Sequence, residues 1–167
     1  MSHPSLGLPP TAADPARARA AARLRDRRTP LARRALERAL ELDPKLRDRY
    51  DELALRRLLR DCEQHVLQLA RSLESGDDSH VVNYGEWLVP IYRRREVPMR
   101  DFATVVRGLR RAVADVLSPE DARLAGELIE RWLARLKFHG RLPGDHKGNA
   151  IVRFFWKGAG IADDSVV

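Results

Sequence analysis

Cys62 and His65 stand three residues apart in a segment of helical periodicity, which puts a thiol and an imidazole on one helix face. Such a pair can give two ligands to a metal, or a nucleophile and its base. A structural zinc site needs four ligands, and the chain has one cysteine. A nucleophile–base pair needs a third group to orient it, and the sequence announces none. Cys62 therefore reads as a small core hydrophobe beside a partly exposed His65. The five histidines, at positions 3, 65, 80, 139 and 146, show no HExxH spacing. Residues 144–148, Gly-Asp-His-Lys-Gly, lack both the spacing of a phosphate loop and a preceding strand. The acidic pairs Asp77-Asp78 and Asp163-Asp164 fall where capping and solvation account for them. No catalytic residue, metal ligand or cofactor is expected, and the chain reads as non-enzymatic.

Charge is the most uneven property of the chain. Arg17, Arg19, Arg23, Arg25, Arg27, Arg28, Arg33, Arg34 and Arg38 face only Asp14, Asp26 and Glu37 within residues 1–40, a net of +6 out of a formal +7. The remaining residues carry 22 basic and 21 acidic side chains, so the basic character belongs to an N-terminal arm. Only Lys45, Lys137, Lys147 and Lys157 among the 31 basic residues are lysine. Arginine forks suit carboxylate and phosphate, and the same bias is what a GC-rich bacterial genome produces. A basic arm on a neutral body predicts a tethered electrostatic contact. The expected partner is a protein with an acidic surface, with nucleic acid as the alternative.

Aromatic residues give two further candidates. Phe154, Phe155 and Trp156 are consecutive in a C-terminal segment flanked by Arg153 and Lys157. Exposed, they would form a costly apolar patch, so they are expected to fold back or to anchor a partner. Arg93, Arg94 and Arg95 follow Trp87 and Tyr92, a mixture that occurs in nucleic-acid sites and also at helix C-termini. Trp87, Tyr92 and Trp132 define a possible small-ligand pocket between helices.

These residues must be positioned by helices, because the apolar periodicity is three to four almost throughout. Pro4, Pro9, Pro10 and Pro15 mark an extended leader, and residues 16–28 have helix propensity with almost no apolar face. Thr29-Pro30 and Asp43-Pro44 are cap-plus-proline starts, the second opening one long helix over residues 44–74 that Ser75-Gly76 stops. The segment 80–95 contains Pro90, which is expected to bend or end it. Val97-Pro98 begins a helix to Leu117, and Ser118-Pro119-Glu120-Asp121 begins another to His139. Only residues 150–156 offer even a faint strand pattern.

The expectation is an all-α protein, a single bundle of about five helices. Residues 1–43 form a leader and arm, 44–140 the bundle, and 141–167 an aromatic tail. No run approaches the ~18 apolar residues of a membrane span. Residues 1–10 lack a basic segment followed by an apolar one, and a lone cysteine suits a reducing compartment, so the expected location is cytoplasmic.

The run Tyr84-Gly85-Glu86-Trp87-Leu88, then Arg94-Arg95-Glu96-Val97-Pro98, Leu109 and Leu117-Ser118-Pro119-Glu120, resembles a helical module of bacterial sensory and regulatory proteins. In those proteins a Trp-Leu helix precedes an Arg-x-Val-Pro turn and two further helices, often ahead of a cobalamin-binding domain. The likeness covers about residues 66–137. The DxHxxG loop of the cobalamin-binding domain does not occur in the sequence. The resemblance therefore implies a helical adaptor or sensor module.

Overall fold

A computed structural model describes residues 14–139, and among these the chain is all-α, with seven helices and no strand. The leader before Asp14, the faint strand pattern at 150–156 and the aromatic tail with Phe154, Phe155 and Trp156 lie outside the described residues. Helix α1 is Pro15–Asp26, started by Asp14, whose carboxylate accepts from the Ala16 amide at 3.0 Å, with Pro15 at the first position. α2 is Arg28–Leu42, joined to α1 through Arg27 alone. α3, Leu46–Arg49, is a single turn. α4 is Glu52–Ser75, capped by Asp51 on the Ala54 amide at 2.7 Å and closed by Gly76 at φ 70°, the left-handed position that glycine occupies without strain. α5 is Ser79–Arg94, α6 Met99–Val116 and α7 Pro119–His139.

Three expectations change. The helix expected over 44–74 is broken at Tyr50-Asp51, which raises the count above five. The cause is a buried carboxylate. Asp101, in the first turn of α6, is 1% exposed and collects Arg49 at 3.0 and 3.1 Å and the Tyr50 hydroxyl at 2.7 Å. A buried charge must be paired, and only a chain that turns at Tyr50 brings both donors to it. Pro90 does not end α5, which continues to Arg94. The stop comes at Glu96, at φ 59°. There the Val97 amide donates to the Tyr92 carbonyl and the Glu96 amide to the Arg93 carbonyl, both at 2.9 Å. Those two bonds are a Schellman closure, with buried Val97 and Tyr92 as its apolar ends.

The third change concerns the arm. Of its residues, α1 and α2 are structural members of the bundle. Ala20, Ala21 and Leu24 of α1 and Leu31, Ala32, Ala35 and Ala39 of α2 are fully buried in the same apolar cluster as α4, α6 and α7. α1 packs on α4 and α7, and α2 on α6 and α4. The apolar face that seemed missing is made of alanine, which permits close helix approach. At Gly108 the approach is closest: a Cβ there would stand 2.3 Å from the Ala35 carbonyl oxygen and 2.8 Å from the Ala39 amide nitrogen. No boundary at residue 43 divides arm from bundle.

Gly108→Ala should therefore destabilise the fold by about 3 kcal/mol, at the upper end of overpacking costs, because the obstacle is backbone. Removal of residues 1–42 should expose the α4–α6–α7 core and abolish cooperative unfolding. Urea titrations followed by circular dichroism check both.

Candidate functional site

The arm arginines reach the body, and most of them meet its carboxylates. Arg17 of α1 pairs with Asp78 and donates to the carbonyls of Ser72 and Leu73, both at 3.3 Å, at the end of α4. Arg19 joins Glu120 at 2.6 Å and Asp121 at 3.3 Å in the first turn of α7. Arg25 grips both oxygens of Glu74, and Arg28 stands 4.0 Å from Glu63. On α2, Arg34 and Arg38 share Asp115 of α6 at 2.8 and 2.7 Å. Those bonds, Arg38 first, hold the Asp115 carboxyl down to about 2 against a smaller opposing effect of burial. Exposed pairs of this kind contribute little each, so they orient the helices while apolar burial holds them. The acidic surface that α1 requires is supplied by the protein itself.

Three arm arginines make no ion pair among the described residues: Arg23, Arg27 and Arg33. Arg23 and Arg27 lie one helical turn apart. With Arg19, Val116, Leu117, Ser118 and Asp121 they line an open cleft of about 380 Å³. Two guanidinium groups without an ion pair, beside apolar Val116 and Leu117, can take an anionic group attached to an apolar one.

The Arg93–Arg95 group is split rather than gathered. Arg95 pairs with Asp61 at 2.7 Å and lies over the Tyr92 ring, 5.2 Å from its centroid. Arg93 turns to the His139 carbonyl at 3.4 Å, and Arg94 faces solvent. Trp87, Tyr92 and Trp132 are also separated. Tyr92 and Trp132 are closed inside the core, whereas Trp87 is 62% exposed and stacks on Tyr84 with ring centroids 6.1 Å apart. Trp132 lies so close to α5 that a Cβ at Gly85 would meet its Nε1 at 2.4 Å.

His65 is where sequence expectation and structure diverge most. It is fully buried, boxed by Tyr84, Tyr92, Phe102 and Trp132, with the Trp132 ring edge-on at 5.1 Å. A directed chain of hydrogen bonds runs through it. The Asp61 carboxylate can only accept, so the Tyr92 hydroxyl donates to it at 2.9 Å. The Tyr92 oxygen then accepts from Nε2–H of His65 at 3.2 Å, and Nδ1 accepts from the Tyr84 hydroxyl at 2.9 Å. Both ring nitrogens are thus engaged and the imidazole is neutral. Burial, then the charge of Arg95, pushes its pKa down to about 3. Burial also pushes the Cys62 thiol up, which keeps the sulfur protonated. The tyrosines could not be assigned from sequence because they come from α5, and only folding sets α5 beside α4.

One more feature escaped the sequence reading. Arg107, Arg110 and Arg111 on α6 and Lys137 on α7 surround a second cleft of about 350 Å³. The signal was available as arginines at i, i+3 and i+4, but it was masked by the stronger charge of the arm. Among the described residues no group of three or more His, Cys, Asp or Glu is placed to hold a metal ion, and no helix is long and apolar enough to cross a membrane.

The fold and these surfaces define an alanine-seamed helical bundle with arginine-lined clefts and a closed polar–aromatic interior. Comparison with protein-family models and with curated proteins gives no match.

An unfolded chain protonates His65 below its ordinary pKa of about 6.5, whereas the folded one keeps it neutral to about 3. Stability should therefore fall as pH drops from about 6.5 to 5, by up to about 1.4 kcal/mol per pH unit, and His65→Gln should flatten that slope. Urea midpoints at pH 7, 6 and 5 for both proteins measure it.

Proposed function

We propose that this chain is a non-enzymatic helical adaptor or regulatory module of the bacterial cytoplasm that binds an acidic protein segment at the α1–α7 cleft. The observation that carries the reading is the partition of the arm arginines. Arg17, Arg19, Arg25, Arg28, Arg34 and Arg38 lie against carboxylates, while Arg23 and Arg27 are left unpaired and adjacent on one cleft wall. Basic side chains over the apolar Val116 and Leu117 favour a peptide that alternates acidic and apolar residues. The resemblance of residues 66–137 to helical modules of sensory and regulatory proteins points to the same class. Phe154, Phe155 and Trp156 supply a second, apolar anchor for the partner in this reading, on the strength of sequence alone.

Nucleic acid is the rival ligand for the same arginines, and the divided fates of Arg93, Arg94 and Arg95 give it no continuous phosphate track. Fluorescence anisotropy with a labelled glutamate–leucine peptide and a labelled single-stranded DNA of equal charge separates the two. Arg23→Glu with Arg27→Glu should weaken the peptide at least about tenfold, a loss of 1.4 kcal/mol, while thermal unfolding stays unchanged because both side chains are exposed. Tighter binding of DNA than of peptide, with a steep salt dependence, would transfer the cleft to nucleic acid. Binding of the peptide that ignores the double substitution would remove the reading.

A further inference from the structure

The cleft on the α6–α7 face lies on a different helix pair from the one used above and carries a denser charge. Arg107, Arg110 and Arg111 project from a single turn of α6, and Lys137 closes the cleft from α7. Among the described residues Glu130 is the one acidic side chain that lines it. Gathering four cations against one carboxylate costs electrostatic repulsion, and Glu130 pairs with Arg110 at 3.4 Å, so Arg107, Arg111 and Lys137 make no ion pair among the described residues. Arg110 keeps its Nε buried without a hydrogen bond. It is also set in place by backbone: a Cβ at Gly126 of α7 would stand 2.8 Å from its guanidinium carbon, so the guanidinium lies flat across that glycine. Leu42, Leu133 and Ala134 supply the apolar part of the cleft lining.

Cations gathered on one cleft suit a compact, multiply charged anion better than an extended acidic helix, whose carboxylates are spread over several turns. Guanidinium forks match the tetrahedral oxygens of phosphate, and a lysine adds a point charge that needs no fixed angle. The cleft volume is at the lower end of the ~300–1,000 Å³ usual for small-molecule sites, and Leu42 and Leu133 leave room for carbon beside the phosphate. We propose that the α6–α7 cleft is a binding site for an organic phosphate. Arg107, Arg110, Arg111 and Lys137 hold its phosphate oxygens, and Leu42 and Leu133 receive its carbon part. The site is independent of the acidic-peptide cleft, and its occupancy gives the adaptor a small-molecule input.

Calorimetric titration of the full chain with phenyl phosphate, inorganic phosphate and benzyl alcohol tests the assignment. Phenyl phosphate should bind more tightly than inorganic phosphate, and benzyl alcohol not at all. Arg107→Gln with Arg111→Gln should weaken phenyl phosphate by about tenfold per guanidinium. Glu130→Gln, which removes the opposing charge, should tighten it about threefold, an effect that a merely damaged fold cannot produce. Arg23→Glu with Arg27→Glu should leave it unchanged, so failure of the peptide cleft and failure of this site read out separately. Vesicles of phosphatidic acid, against phosphatidylcholine alone, separate a lipid source from a soluble one. Capture by the first that depends on Arg107 and Arg111 assigns the phosphate to a lipid. Absence of phenyl phosphate binding together with no such capture overturns the site. So does binding that ignores both the α6 and the Glu130 substitutions.

Discussion

At Gly108 the backbone of α6 lies so close to that of α2 that no side chain fits between them. The remaining architecture depends on that contact. It makes Ala32, Ala35 and Ala39 a packing face, brings Leu31 into the core, and carries Arg34 and Arg38 onto Asp115 at the end of α6. Once α2 is fixed there, the short Arg27 junction leaves α1 on α4 and α7. Alanine contributes little apolar area per residue, so the seam stabilises through close approach and many weak dispersion contacts. Leu24 and Leu31, each fully buried, add about 2 kcal/mol apiece on the usual area scale.

Two buried polar centres specify how the helices meet. Asp101 binds the α3 turn to the start of α6 through Arg49 and Tyr50. His65 binds α4 to α5 through Tyr84 and Tyr92, and Asp61 with Arg95 ends the chain of bonds near the surface. An apolar core tolerates small shifts of one helix against another, whereas a hydrogen-bonded chain with one workable direction tolerates few. These groups set register, and their full engagement leaves the interior without a free base or nucleophile at that centre. The charges that a partner would meet lie at the surface.

There the decisive quantity is the charge left over after internal pairing. Body carboxylates at Glu63, Glu74, Asp78, Asp115, Glu120 and Asp121 absorb most of the N-terminal arginines, so the net charge of a segment overstates what it presents to solvent. Among the cations left without an ion pair in the described residues, two groups line clefts that apolar side chains share: Arg23 with Arg27, and Arg107 with Arg111 and Lys137. This distribution, not the total of +7, is what a ligand would meet.

Helical class, the start at Ser118-Pro119 and the stop at Gly76 were all written in local sequence, because caps and periodicity act within a few residues, whereas Pro15, read as leader, opens α1 behind the Asp14 cap. The uneven charge was equally plain. What sequence could not determine was the destination of each charge and ring, since Arg34 meets Asp115 and His65 meets Tyr84 and Tyr92 only when distant helices pack. The alanine-rich stretch 16–28 reads as a helix without an apolar face when taken alone, and its Ala20, Ala21 and Leu24 become core only when α4 and α7 pack against it. Local composition fixed which residues could pair, and the α2–α6 approach decided which of them did.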